Sequence, residues 1–219
     1  MKKITGTPDS LIFDMDGTLW NALHIYTKAW NEGFKAMGID KQLRPDDISY
    51  MMGWEGRRVL NELLPGYSHE AQDAIYQTVN ETRARLINDI SGVLHDGVKD
   101  GMHRLAALYR LFIVSNCPKG LISLFMKQAN IESYITDFME YGENKMPKHH
   151  NIQLLIEKYD LESPVYVGDT ADDEHESELA EVPFVFFSFG FGHSEKYALK
   201  FDDFSSFSKY FTQLAAVQS

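Results

Sequence analysis

The chain has 219 residues, of which 44% are hydrophobic and 24% charged, so it can form one large domain or two smaller ones with real cores. Its 32 acidic residues outnumber the 21 Lys and Arg residues, which gives a net charge of -11. This composition does not indicate a basic surface for binding nucleic acid or an anionic membrane. A single cysteine, Cys117, excludes an internal disulfide. With no signal peptide and no apolar run near the roughly 18 residues of a membrane span, we expect a cytoplasmic protein.

Residues 11–19 read Leu-Ile-Phe-Asp-Met-Asp-Gly-Thr-Leu, a short apolar strand that ends on two carboxylates, Asp14 and Asp16. Unpaired buried carboxylates are costly, so the strand end is expected to meet a cation. Gly17 permits a tight turn, before Thr18, in which backbone N–H groups point at an anion. The stretch therefore predicts a site for a metal and a phosphate.

Residues 20–92 lose strand-like character and predict successive helices in a separate small bundle. Pro45 is placed at the start of one helix, and Ser68 is placed to cap a longer one. The apolar face predicted for the longer helix consists of Ala71, Ile75, Val79, Leu86 and Ile90.

From Gly97 onward, helical and strand patterns alternate, which predicts a parallel sheet with crossover helices. The predicted helices are 98–109, 118–129, 149–159 and 204–214, and the predicted strands are 111–114, 137–141, 165–167 and 184–187. The opening strand has no helix of its own beside it, so it must join this later sheet. The sequence thus predicts an α/β fold with helices on both faces of a parallel sheet and an inserted all-helical domain.

Ligand sites in open parallel sheets form at the carboxyl ends of the strands. The second strand ends in Ser115 and Asn116, whose hydroxyl and amide can donate to a phosphate oxygen; the alternative is an ordinary turn that opens the next helix. Lys148 directly precedes a helical pattern, so its ammonium is expected at the same sheet edge. We favour Lys148 over Lys145 because only Lys148 abuts that helix.

A later strand runs into Gly168 and delivers Asp169, and hard cations such as Mg²⁺ take oxygen ligands of this kind. Asp172 and Asp173 follow, and both also suit the N-terminus of a helix, so which of the two faces a metal stays open. Cys117 lacks the Arg six residues later that a cysteine phosphatase loop requires, and is interpreted as a small buried thiol.

Four pieces of the sequence, in this order, resemble the motifs of the haloacid dehalogenase-like (HAD) hydrolases. The family motifs are Asp-x-Asp-Gly-Thr, a Ser or Thr at the second strand end, a Lys at a helix start, and Gly-Asp-Thr-x-x-Asp. The matching residues are 14–18, Ser115, Lys148 and 168–173. The insertion resembles the cap of the phosphoglycolate-phosphatase-like subfamily. The resemblance implies a Rossmann-like core, residues 1–19 and 93–219, and a helical cap, residues 20–92.

The resemblance also implies a mechanism. Asp14 would attack the phosphorus of a small phosphomonoester to form an aspartyl-phosphate, and Asp16 would act as general acid and base. Mg²⁺ would be held by Asp14, the backbone carbonyl of Asp16 and Asp169, with Asp173 in support. The implied phosphate-binding residues are Gly17, Thr18, Ser115, Asn116 and Lys148. We expect a small phosphorylated metabolite as substrate and a monomer or homodimer.

Two alternatives belong to the same family. A non-catalytic phosphate-binding protein would usually have lost an acid, and here all are present. Sugar phosphomutases of the family carry a His about twelve residues after the nucleophile, a position that Tyr26 occupies here. His24 lies roughly 200° away around a helix of 3.6 residues per turn and is expected to face elsewhere. The pattern therefore favours hydrolysis.

Overall fold

The computed structural model describes residues 2–89 and 94–217. Six strands form one parallel sheet in the order β3-β2-β1-β4-β5-β6. Their bounds are β1 (Ser10–Phe13), β2 (Arg110–Ser115), β3 (Asp137–Glu140), β4 (Pro164–Gly168), β5 (Phe184–Phe187) and β6 (Leu199–Phe201). The opening strand β1 lies between β2 and β4, which confirms that it joins the later sheet.

The described residues form ten α-helices, and the first four, which follow β1, are called the helical segment below. Its members are α1 (Leu23–Ala36), α2 (Pro45–Ile48), α3 (Gly56–Leu63) and α4 (His69–Asp89). The others are α5 (Val98–Ala106), α6 (Leu121–Ala129), α7 (Tyr141–Asn144), α8 (Lys148–Tyr159), α9 (Ala171–Leu179) and α10 (Phe204–Ala216). Within the described residues, no helix has both the length and the apolar character needed to cross a membrane.

Side chains of β1 alternate between two apolar layers, as the period of a strand requires. Phe13 packs on one side against Phe204 and Phe207 of α10, with ring centroids 6.1 and 5.8 Å away. Ile12 packs on the other side in a cluster that includes Ile152 and Leu155 of α8. Helices therefore cover both faces of the sheet, which confirms the predicted α/β architecture.

In the helical segment, α4 packs along α1 through the apolar face predicted for it. Ile75, Val79 and Leu86 are buried, Ala71 is partly buried, and Ser68 accepts a hydrogen bond from the Ala71 N–H at 3.3 Å. Ile90 and the proposed boundary between residues 92 and 93 lie outside the described residues.

Four details differ from the sequence-based prediction, and the first is that helix α5 ends at Ala106 rather than at 109. Helix α6 begins at Leu121 rather than at 118, because Pro118 and Gly120, the latter with φ of +84°, form a turn first. Residue Tyr141 belongs to the short helix α7 and not to β3. The edge strand β6 has only three residues, too few for a periodic pattern, and the sequence did not predict it.

The turn after β2 is held by close backbone packing at Gly142, whose N–H donates to the Cys117 carbonyl at 3.0 Å. A Cβ at Gly142 would overlap the backbone nitrogen of Lys119. We expect Gly142→Ala to lower the free energy of unfolding by about 2 kcal/mol or more, because a backbone must move to make room.

Urea unfolding followed by circular dichroism measures this difference. Gly66→Ala is the matched control, since a Cβ at Gly66 would meet no described atom within 4 Å. Equal unfolding midpoints for the two variants would contradict the packing account.

Candidate active site

Asp14 and Lys148 form the centre of the site at the carboxyl edge of the sheet. Asp14 follows β1, and its N–H donates to the Val167 carbonyl of β4 at 2.8 Å. Lys148 is the first residue of α8, and its Nζ lies 2.8 Å from Asp14 Oδ1 and 2.7 Å from Asp173 Oδ1. Lys145 is exposed and lies near the ring of Tyr141, so Lys148 is the lysine that reaches the acids.

Asp169, directly after β4, is fully buried and fixed by donors from two loops. Its Oδ1 accepts from the Thr18 hydroxyl at 3.0 Å, and its Oδ2 accepts from the Phe191 N–H at 2.7 Å. A Cβ at Gly17, which has φ of +90°, or at Gly190 would collide with this carboxylate. The two loops therefore approach Asp169 as closely as they do because these positions have no side chain.

Asp173, and not Asp172, belongs to the site. The Asp173 carboxylate accepts from the Tyr166 hydroxyl at 2.9 Å and, as part of a capping box at the start of α9, from the Thr170 hydroxyl at 2.7 Å. Asp172 points outward and pairs with Arg58 of the helical segment at 2.6 Å. The sequence left open which of Asp172 and Asp173 faces the site. The two acids lie on different sides of the first turn of α9, and only Asp173 faces the other acids.

Three buried carboxylates, Asp14, Asp169 and Asp173, place oxygen atoms within 4.8 Å of one another. Lys148 balances part of their charge, while Asp14 Oδ2 has no hydrogen-bond partner among the described residues. Burial raises the pKa of Asp14 to about 7, against the attraction of Lys148, and raises the pKa of Asp169 well above its usual range. An all-oxygen donor set short of positive charge fits a hard divalent cation.

Asp16 is buried but faces the helical segment rather than the three-acid cluster. One of its carboxylate oxygens accepts from the Trp20 indole N–H at 2.9 Å, and the Tyr26 hydroxyl lies 2.8 and 2.9 Å from the two oxygens. Burial raises the pKa of Asp16, and these hydrogen bonds oppose that rise. The sequence analysis did not assign these two partners to Asp16; the signal available was two aromatic residues with polar tips shortly after the acid.

The residues expected to donate to a phosphate are in place, but most of their donors already have acceptors. The Gly17 N–H donates to the Trp20 carbonyl at 2.8 Å, so it is not the free donor that the sequence suggested. The Thr18 hydroxyl is bound to Asp169, and the Asn116 amide donates to the Gly53 carbonyl at 2.9 Å. Buried polar groups find such internal partners. Ser115 is buried at the end of β2, at the same sheet edge.

Cys117 is buried, as predicted, with its thiol 3.9 Å from Glu140 Oε2. Burial raises the pKa of this thiol well above its usual range, and the Glu140 charge adds to the effect. A thiol held in its protonated form is a poor nucleophile.

The family model for haloacid dehalogenase-like hydrolases matches residues 11–187, so the chain belongs to this family of hydrolases. A phosphoglycolate phosphatase of Rhodobacter capsulatus is 24% identical over 208 residues, which cover 90% of this chain and 94% of that protein. The pyrophosphatase PpaX of Listeria monocytogenes is 24% identical over 183 residues, 81% of this chain and 82% of that protein.

A solved structure shows the same fold. The haloacid dehalogenase-like family hydrolase from Streptococcus pneumoniae has a TM-score of 0.81 at 18% identity and covers 93% of this chain and 98% of that chain.

Lys148→Met tests whether this lysine holds the acid cluster together. We expect the free energy of unfolding to fall by about 3–5 kcal/mol in the presence of a chelator, because removing one partner leaves buried charge uncompensated. Lys145→Met, at the exposed neighbour, should change it by no more than about 0.5 kcal/mol.

Urea titrations of the two variants and the parent protein give the comparison. The double variant Lys148→Met/Asp173→Asn should recover part of the loss, since one of the opposing acids is neutralised. Similar unfolding midpoints for both single variants would show that Lys148 does not have this role.

Proposed function

We propose that the protein is a Mg²⁺-dependent phosphatase that hydrolyses a small phosphomonoester through an aspartyl-phosphate on Asp14. The observation that carries this proposal is the state of the Asp14 carboxylate. Lys148 holds Oδ1 at 2.8 Å, while Oδ2 is buried beside two further acids and has no hydrogen-bond partner among the residues that the structure describes. The two relatives described above are named as phosphatases, which supports the same reaction class.

In the first half-reaction, Asp14 Oδ2 forms a bond to phosphorus as the bond between phosphorus and the ester oxygen breaks. The departing oxygen takes a proton from the Asp16 carboxyl. In the second half-reaction, Asp16 accepts a proton from water as the water oxygen attacks phosphorus and releases Asp14. The raised pKa of Asp16 suits a group that must both give and take a proton.

The residues that would hold Mg²⁺ are Asp14, Asp169 and the backbone carbonyl of Asp16. When bound, the ion would offset the repulsion between the carboxylates and the incoming phosphate. Asp173 Oδ1 accepts a hydrogen bond from Lys148 Nζ at 2.7 Å, so the proposed role of Asp173 is to support the site by orienting Lys148.

Lys148 and Ser115 are proposed to bind the transferring phosphoryl group. Lys148 is the buried cation nearest to Asp14, and charge-assisted hydrogen bonds from such a group stabilise the oxygens on which charge develops. Gly17 and Thr18 are proposed to shape the turn after the nucleophile, and Asn116 to tie this edge of the sheet to the helical segment.

The helical segment is proposed to act as a cap, residues 20–92, over the core formed by residues 1–19 and 93–219. Polar contacts that join it to the core include the Asn116 amide on the Gly53 carbonyl, Arg58 with Asp172, and the Tyr26 hydroxyl with Asp16. Closure would exclude water from the site during phosphoryl transfer.

A phosphatase is favoured over a phosphomutase because no histidine of the helical segment assists the site. Tyr26 occupies the position of the mutase histidine, and its hydroxyl is bound to Asp16. His24 is exposed on α1, as the helical spacing predicted. Without a base for a sugar hydroxyl, water is the better acceptor.

Phosphate release from a small phosphomonoester should require Mg²⁺ and Asp14. We expect activity with Mg²⁺, none above background with a chelator, and a loss of at least about 1000-fold in Asp14→Asn, because an amide cannot attack phosphorus. A colorimetric phosphate assay over a panel of phosphomonoesters measures this. Asp172→Asn, which alters the exposed acid of the fourth motif, should retain activity; equal rates with and without chelator would refute the metal requirement.

Hydrolysis should also be faster than phosphoryl transfer to a sugar. When a hexose 1-phosphate is incubated with a trace of its bisphosphate, we expect any phosphate to be released ahead of isomer. Following the isomer and free phosphate separately distinguishes the two. Isomer formed well ahead of phosphate would make the protein a mutase.

A further inference from the structure

A small cavity lies between the carboxyl edge of the sheet and the helical segment. Its polar lining includes Asp16 and Ser115 from the core and Arg83 from α4. The remaining walls are mostly apolar and include Trp30, Ile48, Met51, Met52 and Val59. Because Asp16 is the proposed acid for the leaving oxygen, this cavity is where the leaving group of a substrate would lie.

Arg83 is the unusual residue of this cavity. Its side chain is buried, with 6% of the residue exposed, and Nε has no hydrogen-bond partner in the described part of the chain. Three other arginines of the helical segment all pair with acids, whereas Arg83 has no ion pair within the described residues; the three are Arg57, Arg58 and Arg85.

Aromatic rings take the place of a carboxylate partner. The guanidinium carbon of Arg83 lies 4.3 Å from the ring centre of Tyr26 and 6.0 Å from that of Tyr76. Such contacts stabilise a cation by less than the removal of its charge from water costs. Asp16 acts electrostatically on Arg83, but no ion pair joins the two within the described residues. The cavity therefore contains a buried positive charge that a bound anion would compensate.

The volume of the cavity limits the size of the leaving group that carries the negative charge. Its volume is about 50 Å³. At about 10–15 Å³ for each enclosed water, this space holds roughly three to five non-hydrogen atoms. A hexose ring is too large for it, while a two-carbon hydroxy acid, which has about five non-hydrogen atoms, fits.

We propose that Arg83 is the specificity-determining residue of this hydrolase and that it binds a negative charge on a small leaving group, most simply the carboxylate of a short hydroxy acid phosphate. This inference rests on the proposed phosphatase activity. A terminal phosphate, as in inorganic pyrophosphate, offers the same chemistry from a second source. Discrimination would arise because a neutral leaving group of the same shape leaves the buried guanidinium unpaired.

The test compares 2-phosphoglycolate with phosphoglycolamide, its neutral isostere, and with inorganic pyrophosphate, at saturating Mg²⁺. We expect kcat/KM of the parent protein to favour an anionic substrate over the amide by about 10- to 100-fold, mainly through KM. A preference for 2-phosphoglycolate would show that Arg83 binds a carboxylate, and a preference for pyrophosphate would show that it binds a phosphate. In Arg83→Gln this preference should fall to within about 3-fold of unity, and Arg83→Lys should restore part of it.

Arg85→Gln is the matched control, because Arg85 lies two residues further along α4 and its side chain is 58% exposed. It should keep the parent preference. If Arg83→Gln lowers the rates on the anionic substrates and on the amide by the same factor, Arg83 only supports Tyr26 and Asp16, and the proposal fails. Equal kcat/KM of the parent protein on charged and neutral substrates also overturns it.

A binding measurement separates this proposal from the phosphatase activity itself. With Mg²⁺ present, glycolate should raise the melting temperature of the parent protein and of Arg85→Gln more than glycolamide does. The difference should vanish in Arg83→Gln, whose folded state is checked by circular dichroism. If no phosphate ester is hydrolysed but glycolate binds in this manner, the phosphatase proposal fails and the anion site stands. If glycolate and glycolamide act alike on the parent protein, the anion site is refuted.

Discussion

The ion pairs of Lys148 with Asp14 and Asp173 join three parts of the chain at one sheet edge. Asp14 follows β1, Lys148 begins α8, and Asp173 lies in the first turn of α9. All three side chains are buried, so each charge depends on the others for its compensation. Asp169, held by donors from the turn at Gly17 and the loop at Phe191, adds a further negative charge. The arrangement concentrates acids where the protein alone cannot neutralise them, which is why it suits a bound cation and an incoming phosphate.

The helical segment completes this centre rather than only covering it. Asp16 belongs to the same turn as Asp14, yet its carboxylate is oriented by Trp20 and by Tyr26 of α1. Tyr26 in turn lies beneath Arg83 of α4. A chain of contacts therefore runs from the proposed proton donor to the wall of the small cavity. Any movement of the helical segment relative to the sheet would alter the surroundings of Asp16 directly.

Two buried cations, Lys148 and Arg83, lie near the proposed reaction centre, and their surroundings differ. Lys148 contacts two carboxylates at hydrogen-bond distance, which suits a group that organises the acids. Arg83 lies among aromatic rings, and its Nε has no hydrogen-bond partner in the described part of the chain, which suits a group whose partner arrives with a ligand. Chemistry and selectivity would thus be assigned to separate parts of the fold, the first to the sheet edge and the second to the inserted helices.

The sequence by itself determined the α/β fold, the order of the principal elements and the acids at the ends of β1 and β4, because strand and helix periodicities and strand-end residues are local features. Tertiary structure decided between Lys148 and Lys145 and between Asp173 and Asp172, since only folding shows which side chain reaches Asp14, 134 positions away from Lys148. It also decided the partners of Asp16 and the aromatic surroundings of Arg83. The surroundings of a buried charge come from distant segments of the chain. A local sequence pattern therefore does not predict whether such a charge lies beside acids, aromatic rings or a cavity.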